Sequence, residues 1–236
     1  MTENKKENLN NRMIKFLFEG APVRGACVQM AEEWQEMIKF HHYPENVAAL
    51  LGQFTAGALL LSSTIKFEGS LILQVKGSGP IAFIYAEVRN PMSVRAMAEI
   101  REGAEIKPEM DLQELINKDG KGLCALILDP KDRRPGVQPY QGMVSLESNS
   151  VAENLENYMA KSEQLETKLY LAADSKKLGG LVIQKMPSVG GNVSEISDPD
   201  AWGRILQLAH TVTKDELLNV PATDVLHRLF WQEKLV

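Results

Sequence analysis

Few residue types in this chain carry chemistry on their own. It holds four histidines and two cysteines in 236 residues. His41 and His42 are adjacent, and neighbours on a helix point about 100° apart, so they cannot grip one metal ion. His210 and His227 stand alone in C-terminal helical segments and read as surface or packing residues. Cys27 and Cys124 lie far apart among apolar neighbours, and neither belongs to a CxxC pair. A thiolate near Arg24 would be reactive, but a lone cysteine in apolar company packs as a small hydrophobe. No serine sits in a GxSxG elbow. Gly77-Ser78-Gly79 joins two strands and lacks the helix N-terminus that would bind a phosphate, so it reads as a turn. Glu163 reads as an ordering residue in a helix-to-strand connection. The sequence thus names no catalytic, cofactor-binding or metal-binding residue. An enzyme would need Arg24, Glu163 and His42 to converge in a cleft with strongly shifted titrating groups. That remains the alternative to a binding protein, beside a module with one fixed partner.

Composition narrows the partners. Hydrophobic residues make up 44% and charged residues 24%, with a net charge of -5. That balance argues against nucleic acid, which needs clustered cations. The densest basic stretch, Lys131-Asp132-Arg133-Arg134, is short and interrupted by acid. No secretory signal opens the chain, and no apolar run approaches the ~20 residues that span a bilayer. A cytoplasmic protein that binds no membrane is expected.

The elements that position these residues form an α+β fold. Residues 1–11 are polar and expected to be disordered. Residues 12–187 form the core domain, and 188–236 a hinge and C-terminal helical segment. A helix carrying Trp34, Met37 and Ile38 ends at Pro44; a second, over 45–65, is so rich in Ala, Gly and Leu that it must be buried all round. Strands are predicted at 70–76, 81–88, 95–101, 121–128, 140–147, 167–172 and 179–185, making a mixed or antiparallel sheet packed on a buried helix pair. Asp111 with Glu114, Ser150 with Glu153, and Thr213 with Glu216 have the spacing of capping boxes. In the tail, Trp202, Ile205, Leu206 and Ala209 form one apolar face, and Val225, Leu226, Leu229 and Phe230 another.

Several strands are apolar on both faces: 71–73, 81–86, 123–128 and 181–183. Such strands need cover on both sides. Helices supply one side; the other falls to the rest of the chain, a second copy or something else. Strand alternation nominates Ile72, Ile84, Met143, Tyr170 and Val182 for the face away from the helices.

Several segments, in order, resemble the redox-regulated thirty-three-kilodalton heat-shock protein family, holdase chaperones of the bacterial cytosol. They are Val23-Arg24-Gly25, Tyr43-Pro44, Lys66-Phe67-Glu68-Gly69, Gly77-x-Gly79-Pro80, and Tyr140-x-Gly142-x-Val144-x-Leu146-Glu147. Leu155-Glu156-x-Tyr158, Ser162-Glu163-Gln164-Leu165, the stretch 180–187, and His227-Arg228-Leu229-Phe230 complete the set. The resemblance implies ATP-independent binding of unfolding client proteins, with the five nominated residues as client contacts. The exposed surface and the resemblance together favour a homodimer, and the long connector at 187–198 is a candidate hinge for exchange of the C-terminal helices between partners. In this family four C-terminal cysteines, a C-x-C and a C-x-x-C pair, bind zinc and form a redox switch. Those cysteines are not in this sequence, and Cys27 and Cys124 do not match them. The expectation is therefore a client-binding core without its four-cysteine zinc domain, with no cofactor of its own and a surface open without oxidant.

Overall fold

Pro44 fixes the start of helix α2 (Glu45–Thr64), which follows the short α1 (Glu32–Ile38). Val47, Leu50, Leu51, Leu59 and Leu60 are spread around α2 and all are buried. Its Thr55 and Thr64 hydroxyls donate to the Leu51 and Leu61 carbonyls at 2.8 and 2.9 Å, so its interior polar atoms are satisfied within the helix. Contrary to the sequence reading, α2 is long and apolar enough to cross a membrane by length and composition. Its apolar girth is used instead in the core, where two sheets enclose it. The computed structural model describes residues 11–65, 68–89, 93–132, 136–187, 198 and 200–236. The leader expected to be disordered, apart from Asn11, and most of the 187–198 connector lie outside the described residues.

Strands β1 (Arg12–Leu17), β2 (Val23–Met30), β8 (Thr167–Ala173) and β9 (Leu178–Lys185) pair antiparallel in the order β1-β2-β9-β8. Strands β3 (Gly69–Lys76), β4 (Ile81–Arg89), β5 (Ser93–Ile100), β6 (Leu123–Pro130) and β7 (Tyr140–Val144) form a second antiparallel sheet, ordered β5-β4-β3-β6-β7. The α+β class expected from the sequence holds, with its antiparallel strands divided between two sheets. Between them lie α2 and α4 (Val151–Lys161), with Leu155, Tyr158 and Met159 of α4 in the shared core.

Local signals place the remaining helices. Asp111 caps α3 (Leu112–Ile116) in a reciprocal box, its carboxylate accepting from Glu114 N at 3.0 Å and Glu114 accepting from Asp111 N at 3.1 Å. Ser150 caps α4, but Glu153 does not reach back to it; its carboxylate bonds Ser148 Oγ instead. After α5 (Ala201–Ala209), Thr213 and Glu216 box the start of α6 (Lys214–Asn219), and α7 (Ala222–Phe230) follows Pro221. The buried residues Ile205, Ala209, Val225, Leu229 and Phe230 of these helices form a second core with Phe16, Val23, Cys27, Leu181 and Ile183 on the far face of the four-stranded sheet. Both faces of that sheet are therefore covered, which explains why β9 from Leu178 to Ile183 is apolar or glycine.

Candidate functional site

Among the described residues, the five-stranded sheet is covered on one face only. Leu71, Leu73, Val75, Ala86, Val88, Ala96, Ala98 and Leu126 turn inward to the shared core. The register aligns the opposite face in rows: Met97 beside Tyr85, Gln74, Ala125 and Met143, and Arg95 beside Glu87, Ile72, Ile127 and Gln141. Met97 is 40% exposed, and Leu123 and Met143 are each 54% exposed. Phe83 and Tyr85 stack with ring centroids 6.3 Å apart. No described helix packs on this side, which leaves Met97, Leu123 and Met143 exposed among polar Gln74, Glu87, Arg95 and Gln141, and exposed apolar residues gathered on one face mark a candidate interaction site. A polar corner bounds it. There the Glu87 carboxylate accepts from Tyr85 Oη at 3.1 Å and from the Arg89 guanidinium at 3.2 Å. Burial alone would raise the pKa of Glu87. The bonds from Ser70 and Tyr85, with the charges of Arg89 and Arg95, outweigh it and hold the group below the usual carboxylate range.

The five nominated residues divide between three environments. Ile72 and Met143 lie on the open face of the five-stranded sheet, Ile72 half-buried and Met143 exposed. Tyr170 lies on the far face of the four-stranded sheet, beside α5, with its ring centroid 6.4 Å from that of His210. Burial, and secondarily the charge of Glu156, push the Tyr170 hydroxyl up to about 12. Ile84 and Val182 are fully buried in the core that surrounds α2, so their expected outward placement is corrected. In β4 the register shifts between Ile81 and Phe83, which turns Ile84 inward and Phe83 outward. In β9 every neighbour of Val182 is apolar or glycine, so alternation carries no information about its face. Phe83, Tyr85, Met97, Leu123 and Ile127 of the open face escape the sequence reading, although alternation along β5 sets Met97 outward with Ser93, Arg95 and Glu99.

Beside its apolar core, the far face of the four-stranded sheet has one buried polar side chain bonded to the helices. Gln29 donates to the Leu217 and Val220 carbonyls at 3.0 and 2.6 Å and accepts from Ala222 N at 2.9 Å, binding the α6–α7 junction to β2. Its register partner, Gly179, lies under α6, where a Cβ would come 2.2 Å from the Leu217 carbonyl oxygen.

The would-be enzymatic residues are engaged apart. Arg24 Nε donates to Gln184 Oε1 at 3.0 Å, and Gln184 Nε2 to Thr167 Oγ1 at 2.8 Å. Glu163 Oε1 accepts from Tyr140 and Tyr158 hydroxyls at 2.8 and 2.7 Å. His42 sits exposed in the turn between α1 and α2 at a φ of 48°. Burial pushes the Cys27 and Cys124 thiols up to about 12, so both are packing groups at neutral pH. They lie in different sheets, and among the described residues no group of three or more His, Cys, Asp or Glu is placed to hold a metal ion. The zinc that the resemblance implies therefore has no fitting donor set among them.

Comparison with known proteins accords with this arrangement. The family described as Hsp33 protein matches residues 11–236. The 33 kDa chaperonin of Methylobacillus flagellatus is 37% identical over 226 residues, covering 95% of this chain and 73% of that protein. That of Neisseria gonorrhoeae is 40% identical over 223 residues, covering 94% and 70%, and that of Nitrosococcus oceani 40% over 229, covering 96% and 74%. The crystal structure of the 33 kDa chaperonin (heat shock protein 33 homolog) of Thermotoga maritima superposes with a TM-score of 0.70 at 22% identity. That superposition covers 94% of this chain and 76% of that one, a likeness of fold.

Proposed function

The chain belongs to the Hsp33 protein family, a family of holdase chaperones and not enzymes, and we propose that its client surface is the open face of the five-stranded sheet. The observation that carries this reading is the row Met97–Tyr85–Gln74–Ala125–Met143 with Ile72, Ile127, Phe83 and Leu123 around it, uncovered by any described element. Unfolding proteins expose apolar segments, and burying those segments on such a face slows their aggregation without any bond being broken or any nucleotide spent. The charged corner at Glu87, Arg89 and Arg95 gives the patch a solvated rim.

Two finer statements belong to the same reading. The face takes clients without oxidant, because no described element covers it. The chain works as a homodimer in the cytoplasm, with 12–187 as client-binding core and 188–236 as a hinge and helical unit able to exchange between copies. The test is light scattering of a thermally unfolding protein under reducing conditions without ATP. The chain should suppress scattering, and Ile72→Lys with Met143→Lys should lose most of that suppression while unfolding at the same temperature. Full suppression by the double variant would remove the sheet face from the reading.

A further inference from the structure

The methionines of this chain are divided sharply by their surroundings. Among those described, Met30 and Met159 are buried in the shared core, at 4% and 1% exposure, and others are partly buried. Met97 and Met143 alone among the described methionines are exposed, at 40% and 54%. Both lie on the outer face of the five-stranded sheet and in one row, Met97–Tyr85–Gln74–Ala125–Met143. Met97 ends that row on edge strand β5, and Met143 ends it on edge strand β7. Four strand spacings of about 4.8 Å separate them, so a segment laid across the strands meets both side chains.

An exposed thioether is open to two-electron oxidation. Its sulfur lone pair attacks one oxygen of a peroxide, an S–O bond forms, the O–O bond breaks, and proton transfer releases water. The sulfur is oxidised to a sulfoxide and the peroxide is reduced. A thioether accepts hydrogen bonds weakly, whereas a sulfoxide is polar and holds water. For Met143 a donor already stands by, with Gln141 Nε2 4.0 Å from the sulfur. Met97 is the register partner of Tyr85, whose ring stacks on Phe83. Aromatic neighbours favour the thioether, so oxidation there takes an apolar contact away from the face.

We infer that Met97 and Met143 form a reversible oxidation site, at which a peroxide converts both ends of the client row to sulfoxides and lowers its affinity for apolar segments. The inference rests on the reading of this face as the client surface. Burial of Met30 and Met159 shields the core, so the change falls on affinity and not on the fold. Sulfoxide reductases, one for each epimer, restore the thioethers and with them the apolar row.

The test treats the 236-residue chain with hydrogen peroxide and stops the reaction with catalase. Peptide mass spectrometry follows each methionine, and reduced, carboxymethylated lactalbumin is then titrated as a permanently unfolded probe. Met97 and Met143 should oxidise roughly tenfold faster than Met30 and Met159, with the unfolding temperature unchanged. Probe affinity should fall roughly fivefold and return after treatment with both sulfoxide reductases. Met97→Leu with Met143→Leu removes both sulfurs; whatever its starting affinity, peroxide should not change it. Equal oxidation rates at exposed and buried methionines overturn the inference, and so does unchanged affinity once both sulfoxides have formed. The chaperone reading then stands on suppression by the untreated chain. An equal loss in the leucine variant assigns the effect to other residues and also overturns the inference. An untreated chain that neither binds the probe nor suppresses scattering overturns the chaperone reading and this inference with it.

Discussion

The most distinctive short segments of the sequence meet at one point, and their work there is structural. A Cβ at Gly142 would lie 2.0 Å from Tyr158 Oη, so β7 can approach α4 only because position 142 has no side chain. The Tyr158 hydroxyl is in turn bonded to Glu163 at 2.7 Å and lies 3.0 Å from the Tyr140 hydroxyl. Burial first, and then these partners, push its pKa up, so it stays protonated and donates. Gln164 closes the corner at a φ of 56°. Gly142→Ala forces the ring or the strand to move, and overpacking of this kind costs about 1–3 kcal/mol. Tyr158→Phe should cost about 1 kcal/mol through the lost hydrogen bonds. Because the phenylalanine lacks the clashing oxygen, the double variant should be more stable than the sum of the two losses predicts. Chemical denaturation of the four proteins decides it; strict additivity would mean that Gly142 and Tyr158 are not coupled. The sequence displays these residues as neighbouring motifs, but a glycine's partner sixteen positions away is a tertiary fact.

At the scale of elements, legibility followed amphipathicity. Helices α5, α6 and α7 each have one apolar stripe, and the residues read as inward, Ile205, Val225, Leu226, Leu229 and Phe230, are buried. Strands with two apolar faces carry no such stripe, which is why alternation puts Ile84 and Val182 on the wrong side. Gln29 shows the converse. Alternation marks it as polar and therefore solvent-facing, yet it is 5% exposed and holds the α6–α7 junction by three hydrogen bonds. Gln29→Ala leaves the Leu217 and Val220 carbonyls and the Ala222 amide without that partner, and an unsatisfied buried backbone group costs about 1–3 kcal/mol. The penalty should appear as local opening: faster amide exchange through α6 and α7, with α2 unchanged. If α2 and α7 speed up together, the C-terminal helices are not a separable unit, and the division near residue 188 fails with them.

For the whole molecule the question is which surface joins two copies and which takes clients. The four-stranded sheet already has helices on its far face, whereas the five-stranded sheet keeps Met97, Leu123 and Met143 exposed. A dimer that buried the latter face would compete with clients for it. A dimer made by exchange of α5–α7 would leave it free, because those helices would make the same contacts with Gln29, Gly179 and Phe16 in the partner's sheet. Exchange is the expected route, so sedimentation at micromolar concentration should show a homodimer, and Met97→Lys with Met143→Lys should leave its mass unchanged while client suppression falls. Gln29→Ala should act the other way, hastening subunit exchange between labelled dimers because the helices leave their sheet more readily. If the Met97 and Met143 substitutions instead yield monomers, the copies meet through the client face, and client binding and dimerisation become alternatives that unfolding proteins would shift toward the monomer by mass action.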